Sequence, residues 1–305
     1  MIKRNRNAIT ELRVGVLYGG ISSERDVSLV SGAAVSRGLK DAGYTVTDID
    51  VREDFDQRLP EIAREIDLAF IVLHGEFGED GRIQKLLENA NIPYTGSDSA
   101  SSRIGMDKLL SKKKFMEKNV PVPDFAVPQD CSMDWQGTFP CVVKPVLGGS
   151  SIDVYLPETP EELSTALKKG EDLFVEEYIQ GRELTVGVLD GQTLPVIEIK
   201  PRHTFYDFNA KYEDDQTDFL FDTLSQMRQA ELSDLALQAF EAIGARDFGR
   251  IDMMMNAQED FFVLEINTIP GFTSHSLLPM AAAKMGMDFP CLCRRILEVA
   301  ARRLC

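Results

Sequence analysis

Between Asp67 and Leu73 the chain reads DLAFIVL, apolar at almost every position. A strand with one wet face alternates apolar and polar residues, so a continuous run has to be covered on both faces, as in a parallel sheet between helical layers. The flanking segments agree. Arg13 to Tyr18 (RVGVLY) reads as a first strand, Ser28 to Ala42 has apolar residues at helical spacing and ends at Gly43, Tyr44 to Val51 returns as a strand, and Gly81 to Ala90 follows as a helix. Residues 13 to about 105 therefore read as a small doubly wound α/β domain.

Beyond it the pattern changes. Met106 to Asn119 (MDKLLSKKKFMEKN) is a basic helix ended by the proline-containing Val120 to Pro123, an entry to a second domain. Pro140 to Pro145, Ser151 to Leu156, Asp172 to Glu177 and Glu183 to Leu189 read as short strands around one helix, Pro160 to Lys169, an α+β arrangement. The turn Asp190-Gly191 leads into a strand over Leu194 to Lys200. Residues 201 to about 225 have no clear periodicity, and a loop that long in a compact domain is usually functional. A helix over Met227 to Ile243, strands over Asp247 to Met255 and Phe261 to Asn267, and closing helices over Ser276 to Met285 and Phe289 to Ala300 complete the chain, with no internal repeat.

A length of 305 residues suits two or three domains, and a net charge of -16 removes any global basis for nucleic-acid binding. Small-molecule chemistry is expected. The five cysteines follow neither a disulfide nor a zinc spacing and read as reduced thiols. The first dozen residues are basic but lack an apolar core, and no run approaches ~18 apolar residues, so neither secretion nor a membrane span is expected and a cytoplasmic location is.

Several constellations could carry chemistry. After the first strand comes GGISSER, and Glu24 would repel a phosphate, so this glycine loop suits a cationic guest. In GRIDMMM, Arg250 and Asp252 share a strand face, as do Glu265 and Asn267 in VLEIN. A turn near residue 258 would set Asp252 roughly opposite Glu265 and Arg250 roughly opposite Asn267. Facing carboxylates with an amide suit Mg²⁺ carrying nucleotide phosphates; the competing explanation is a structural acid pair neutralised by Arg250.

Lys144 precedes VLGGSS, a candidate phosphate loop, though an ordinary turn with a solvated lysine explains it equally well; Lys108, on the basic helix, reads more readily as surface charge. His74, after the apolar strand, sits where open α/β sheets bind ligands, or else is a structural hydrogen-bond partner. His275, among serines, is expected to help cap the closing helix. No G-x-S-x-G, H-E-x-x-H or Walker motif is present.

Taken together, GGISSERDVSL at 19–29, LHGEFGEDGRIQ at 73–84, PYTGS at 93–97, MDK at 106–108, VVKP and GGSS within 142–151, TFYDFNAKY at 204–212, GRIDMM at 249–254 and LEINTIPGFTSHSLLP at 264–279 resemble, in order and spacing, the D-alanine:D-alanine ligase family of the ATP-grasp superfamily. The resemblance implies an ATP-grasp fold of mixed α/β and α+β class. It implies a doubly wound N-terminal domain (1–105), a central nucleotide-clamping domain (106–185) and a C-terminal domain for metal, catalysis and second substrate (186–305). The implied activity is ATP-dependent joining of two D-alanines through an acyl phosphate, releasing ADP and phosphate, for peptidoglycan precursors.

By the same resemblance Glu24 meets the ammonium of the first D-alanine, with Ser150 and Tyr212 as its partners, and His74 lies at the substrate. Lys108, Lys144 and Lys211 hold ATP phosphates beside Ser150 and Ser151, the segment Glu176, Glu177, Tyr178 and Ile179 lines adenine, and Glu183 meets the ribose. Asp252, Glu265 and Asn267 match ligands of two Mg²⁺ ions, for which Mn²⁺ can substitute. Arg250 and the Gly271 amide match the oxyanion donors, and Ser276 with the Leu277 amide the site of the second carboxylate. The region around Lys211 and Tyr212 corresponds to a mobile loop that excludes water. A homodimer is expected by family analogy. The loop here reads LGGSSIDVY, with Ile152-Asp153 where many relatives have Val-Gly, and His203 replaces a common small residue. The rival readings are a D-alanine:D-lactate ligase, another ATP-grasp carboxylate-amine ligase, and a non-catalytic nucleotide-binding protein.

Overall fold

The computed structural model describes residues 11–128, 135–149, 152–200, 217–273 and 275–304. Strand β1 (Arg13–Gly19) lies between β2 (Thr45–Val51) and β3 (Leu68–Ile71), parallel to both, with Val14 opposite Val46 and Leu68. Every residue of β3 is buried, as the apolar run required. Helices α1 (Arg25–Asp41), α2 (Phe55–Glu65) and α3 (Arg82–Asn89) cover this sheet.

The sequence reading has neither α2 nor the strand Asp218–Phe221, which lies within the segment 201–225 read as a loop, and it differs at two further places. The basic helix is preceded by a separate helix, α4 (Ser99–Met106), and α5 itself spans Lys108–Glu117. Asp98 and Asp107 divide them: each carboxylate accepts backbone N–H groups of the helix that follows it, at Ser101 for the first and at Leu109 and Leu110 for the second. The strand expected over Ser151 to Leu156 reduces, among the described residues, to one bridge between Val143 and Tyr155.

A small antiparallel sheet follows, ordered β4 (Phe125–Ala126), β6 (Leu173–Glu177), β5 (Cys141–Pro145), with α6 (Pro160–Ala166) packed on its inner face through Cys141, Val143, Val175 and Leu163. The larger antiparallel sheet runs β10 (Asp218–Phe221), β9 (Ile197–Lys200), β7 (Gly181–Leu189), β11 (Phe248–Asn256), β12 (Phe261–Asn267), with β8 (Gln192–Thr193) hairpinned onto β7. A division of the chain near residue 185 falls inside β7, which pairs with β11 along its length. One face of this sheet packs on α7 (Gln226–Ala242) and on Phe115 of α5.

The closing helices α8 (Leu277–Lys284) and α9 (Phe289–Ala301) share one core with the first sheet: Val14, Val16, Phe70 and Val72 pack with Leu278, Leu292 and Ile296. Cys141 and Cys293 are buried free thiols, pushed up by that burial to about 11 and about 12, and Cys291 is free and half-buried. Cys131 and Cys305 lie outside the described residues. Among the described residues no helix is long and apolar enough to cross a membrane.

Candidate active site

The hairpin β11–β12 has the expected register: Arg250 faces Asn267 and Asp252 faces Glu265. Beyond this point the pairing slips to Met253 opposite Val263, a bulge that leaves Leu264 as the extra residue. Each acid has its own cation. Arg250 donates to Asp252 through Nε at 2.8 Å and Nη2 at 2.6 Å, and the Thr185 hydroxyl reaches Asp252 at 2.6 Å. Glu265 lies 3.5 Å from the Lys108 ammonium, which also donates to the Gly148 carbonyl at 2.6 Å. Arg250 thus pairs with Asp252, as the competing structural explanation required, while Glu265 is held from a different element.

The donor set still fits a hard cation. Asp252, Glu265 and Asn267 offer only oxygen on the side of a cavity, and among the described residues no group of three or more His, Cys, Asp or Glu forms a self-sufficient cage. Two carboxylates and an amide leave coordination for a ligand's own phosphate oxygens, the usual way Mg²⁺ is bound.

Two adjoining cavities bring the candidate residues together. The larger, about 570 Å³, is walled by Lys144, the strip Glu176 to Ile179, Glu183 and Asp252, which is room enough for a nucleotide. The smaller, about 100 Å³, is walled by Glu24, His74, Arg250, Asn267, Gly271, Ser276 and Leu277. Lys108, Gly148, Gly149 and Glu265 belong to both walls. Ser150, Ser151, Lys211 and Tyr212 lie outside the described residues.

In the smaller cavity Glu24 precedes α1, its N–H donating to Ser22 Oγ at 3.2 Å while that hydroxyl donates to the His74 carbonyl at 2.7 Å, which joins the loops after β1 and β3. Gly75 has φ +68, and a Cβ there would come within 2.7 Å of Glu24 Oε2, so the carboxylate occupies space only a glycine leaves. His74 Nδ1 lies 3.1 Å from the Ile269 carbonyl, which makes Nδ1 the donor; its Nε2 faces Ser31 Oγ at 3.4 Å. Burial first, and the positive Arg250 in addition, bring the imidazole down to about 4, so it is neutral at physiological pH. His74 is both a structural partner and part of the wall.

The sequence reading passed over Glu79. Its carboxylate accepts the Gly75 N–H at 2.7 Å and lines the same cavity as Glu24. Burial and then the neighbouring Glu24 charge push it well above the ordinary carboxylate range. The available signal was a second acid in a glycine-rich loop, HGEFGEDG, directly after a buried strand.

The expected cap by His275 is not formed. Ser276 is the N-cap of α8 and makes no capping bond, because its hydroxyl accepts the Thr273 N–H at 2.9 Å and lies 2.9 Å from Thr273 Oγ1; His275 is exposed on the cavity wall. The start of α8 is therefore open toward the smaller cavity, where its dipole favours an anion.

A family model described as D-ala D-ala ligase C-terminus matches residues 124–298, and one described as D-ala D-ala ligase N-terminus matches residues 51–97. The chain belongs to the D-alanine:D-alanine ligase family. It is 44% identical to the D-alanine:D-alanine ligase of Syntrophotalea carbinolica over 98% of this chain and 99% of that one. Its identity to the ligase of Pseudomonas entomophila is 45%, over 95% and 94% of the two chains. The crystal structure of the Bacillus anthracis ligase complexed with ATP superposes with a TM-score of 0.83 at 32% identity, covering 96% of this chain and 98% of that one. The Coxiella burnetii ligase structure superposes at 0.81 and 28% identity, over 96% and 95%. The mixed α/β architecture is the ATP-grasp fold. Within this ligase chain the hairpin of Asp252 and Glu265 falls in the C-terminal match, whereas Glu24 precedes the N-terminal one and α5 lies between the two.

Proposed function

We infer that this protein joins two D-alanines into D-alanyl-D-alanine at the expense of ATP. The observation that carries the reading is the meeting of a nucleotide-sized cavity and a small carboxylate-bearing cavity at Lys108 and Glu265. A carboxylate oxygen of the first D-alanine attacks the γ-phosphorus, ADP departs, and an acyl phosphate forms. The amine of the second D-alanine then attacks the acyl carbon, and the tetrahedral intermediate expels phosphate.

Glu24 receives the ammonium of the first D-alanine through a charge-assisted bond. The second carboxylate rests at the open start of α8, on the Leu277 N–H and the Ser276 hydroxyl, between serine and helix dipole. Arg250 and the Gly271 N–H stand by the oxygen that gains charge as the intermediate forms, the step at which fixed donors act most strongly. Lys144 and Lys108 face the phosphates, with Lys211, Ser150 and Ser151 assigned there by the family pattern. Asp252, Glu265 and Asn267 would hold Mg²⁺, two ions by family analogy, which when bound neutralises phosphate charge. Tyr212 is assigned with Ser150 to the closure over Glu24.

We also propose a homodimer, a cytoplasmic setting, and the division into units near residues 105 and 185, the second being a division of roles between nucleotide and metal and not of the sheet, which β7 carries across it. The deciding experiment is ADP release with ATP and Mg²⁺, comparing D-alanine, L-alanine, and D-alanine with D-lactate, products identified by mass. Dipeptide from D-alanine alone is expected. A depsipeptide product, or ATP binding without turnover on any of these, would overturn the assignment.

A further inference from the structure

Helix α5 carries a second lysine that the active site as described does not use. Lys112 is fully buried, one turn beyond Lys108, although Lys113 next to it is exposed. Its ammonium lies 2.8 Å from Glu176 Oε2 and 5.4 Å from the centre of the Phe125 ring. The other oxygen of Glu176 is paired with Lys144. Lys112 lines neither cavity, whereas Glu176 and Lys144 both line the larger one.

The sheet imposes this arrangement. Phe125 and Val142 stand opposite Glu176, and Lys144 stands opposite Phe174, so all five occupy one face, with Phe125 and Phe174 edge to face at 6.4 Å. Two ammoniums and one carboxylate, all almost entirely buried, leave one net positive charge beside the nucleotide-sized cavity. Burial pulls the Lys112 ammonium down; burial also pushes the Glu176 carboxyl up, but the two lysines outweigh it and hold it below the usual range.

We propose that Lys112 is a positioning residue, the permanent counterion of Glu176, which frees Lys144 to exchange that carboxylate for the phosphates of the nucleotide. With Lys144 as the only cation, its departure would strand a buried carboxylate, which is strongly unfavourable. Lys144 would then stay on Glu176 and the binding-competent arrangement would be rare, raising the apparent dissociation constant in proportion. With Lys112 in place Glu176 keeps a partner throughout. The inference rests on the nucleotide reading of this cavity given above.

The test begins with ADP and Mg²⁺ titrated into the wild-type protein by calorimetry; failure to bind there would refute the nucleotide reading itself. Given wild-type binding, Lys112→Met is expected to weaken ADP binding and raise KM for ATP by about tenfold, with kcat and the KM for D-alanine within about twofold. Glu176→Gln removes the charge that traps Lys144, so Lys112→Met should weaken ADP binding far less in a Glu176→Gln background than in the wild type, a comparison in which any loss of the Glu176 contact to the nucleotide cancels. Unchanged ADP binding in Lys112→Met, or the same weakening in both backgrounds, would overturn the proposal. If Lys112→Met does not fold, a crystal structure of the wild type with ADP decides: Lys144 on phosphate with Lys112 still against Glu176 supports it, and Lys112 parted from Glu176, or Lys144 still on it, refutes it.

Discussion

Glu24 and Glu79 put two carboxylates into one small cavity, and only one of them can bear its charge cheaply. Burial and the Glu24 charge push Glu79 up, and Glu24, in the space Gly75 leaves, is the acceptor proposed for the ammonium. Glu24→Gln keeps the shape and removes the charge; KM for the first D-alanine is expected to rise about 10- to 100-fold, the worth of a hydrogen bond to a charged group, with ADP affinity within about twofold. Steady-state kinetics with a nucleotide titration check this, and equal loss of both would contradict the role. His74 gives a pH signature. Its folded value, about 4, lies below the ordinary 6.5, so the unfolded chain takes up the proton first as pH falls. The stability due to neutral His74 is complete above about 6.5, declines between there and about 4, and amounts to about 3 kcal/mol. Urea denaturation between pH 7 and pH 4 should show a steeper loss for the wild type than for His74→Gln.

At the scale of elements, α5 does more than join two units. Asp107 caps it, and the helix aims Lys108 at the seam of the cavities and Lys112 at Glu176. Asp107→Ala is expected to cost about 1 kcal/mol in denaturant unfolding and to raise KM for ATP severalfold, because fraying of the first turn moves Lys108. The sequence foretold elements wherever one period dominated: DLAFIVL as a buried strand, and the hairpin of Asp252 and Glu265 down to its cross-strand partners. It hid α4, SASSRIGM, which buries Ser101, Ser102 and Gly105 and so has no apolar stripe to read. It hid α2 as well, where Pro60 sits inside the helix. Lys112 was unreadable for a different reason: in KLLSKKKF nothing local marks which lysine turns inward, and only the sheet carrying Glu176 decides. The bulge at Leu264, between the turn and the predicted pairs, is what sets Glu265 opposite Asp252, since a regular ladder running on from Met255 and Phe261 would have put Leu264 there.

For the whole molecule, the first sheet is not an independent unit in its packing. Val14, Val16, Phe70 and Val72 on one face are covered by α1 and by the closing helices through Leu278, Leu292, Ile296 and Leu297, while the other face is completed by Ile269. Polar ties follow the same seam. Asp247 accepts the Gly96 N–H at 2.9 Å and bonds from Arg303 Nη1 and Nη2 at 2.6 and 2.7 Å, and Arg303 also donates to the Tyr94 carbonyl. The distance from Glu24 to Arg250 is therefore fixed by a continuous core, not by a linker, which keeps two substrate sites in register for a reaction whose intermediate must not wait. A fragment of residues 1–105 would keep α1 on the face of Val14 and Phe70 but expose the part that α8 and α9 cover, and a parallel sheet only half covered on one face is not a stable arrangement. Such a fragment, although it holds every strand of its own sheet, is expected to lack a cooperative thermal transition by circular dichroism. A sharp transition in the isolated fragment would show instead that α1 to α3 suffice, and that the C-terminal helices serve only to dock the two halves of the site.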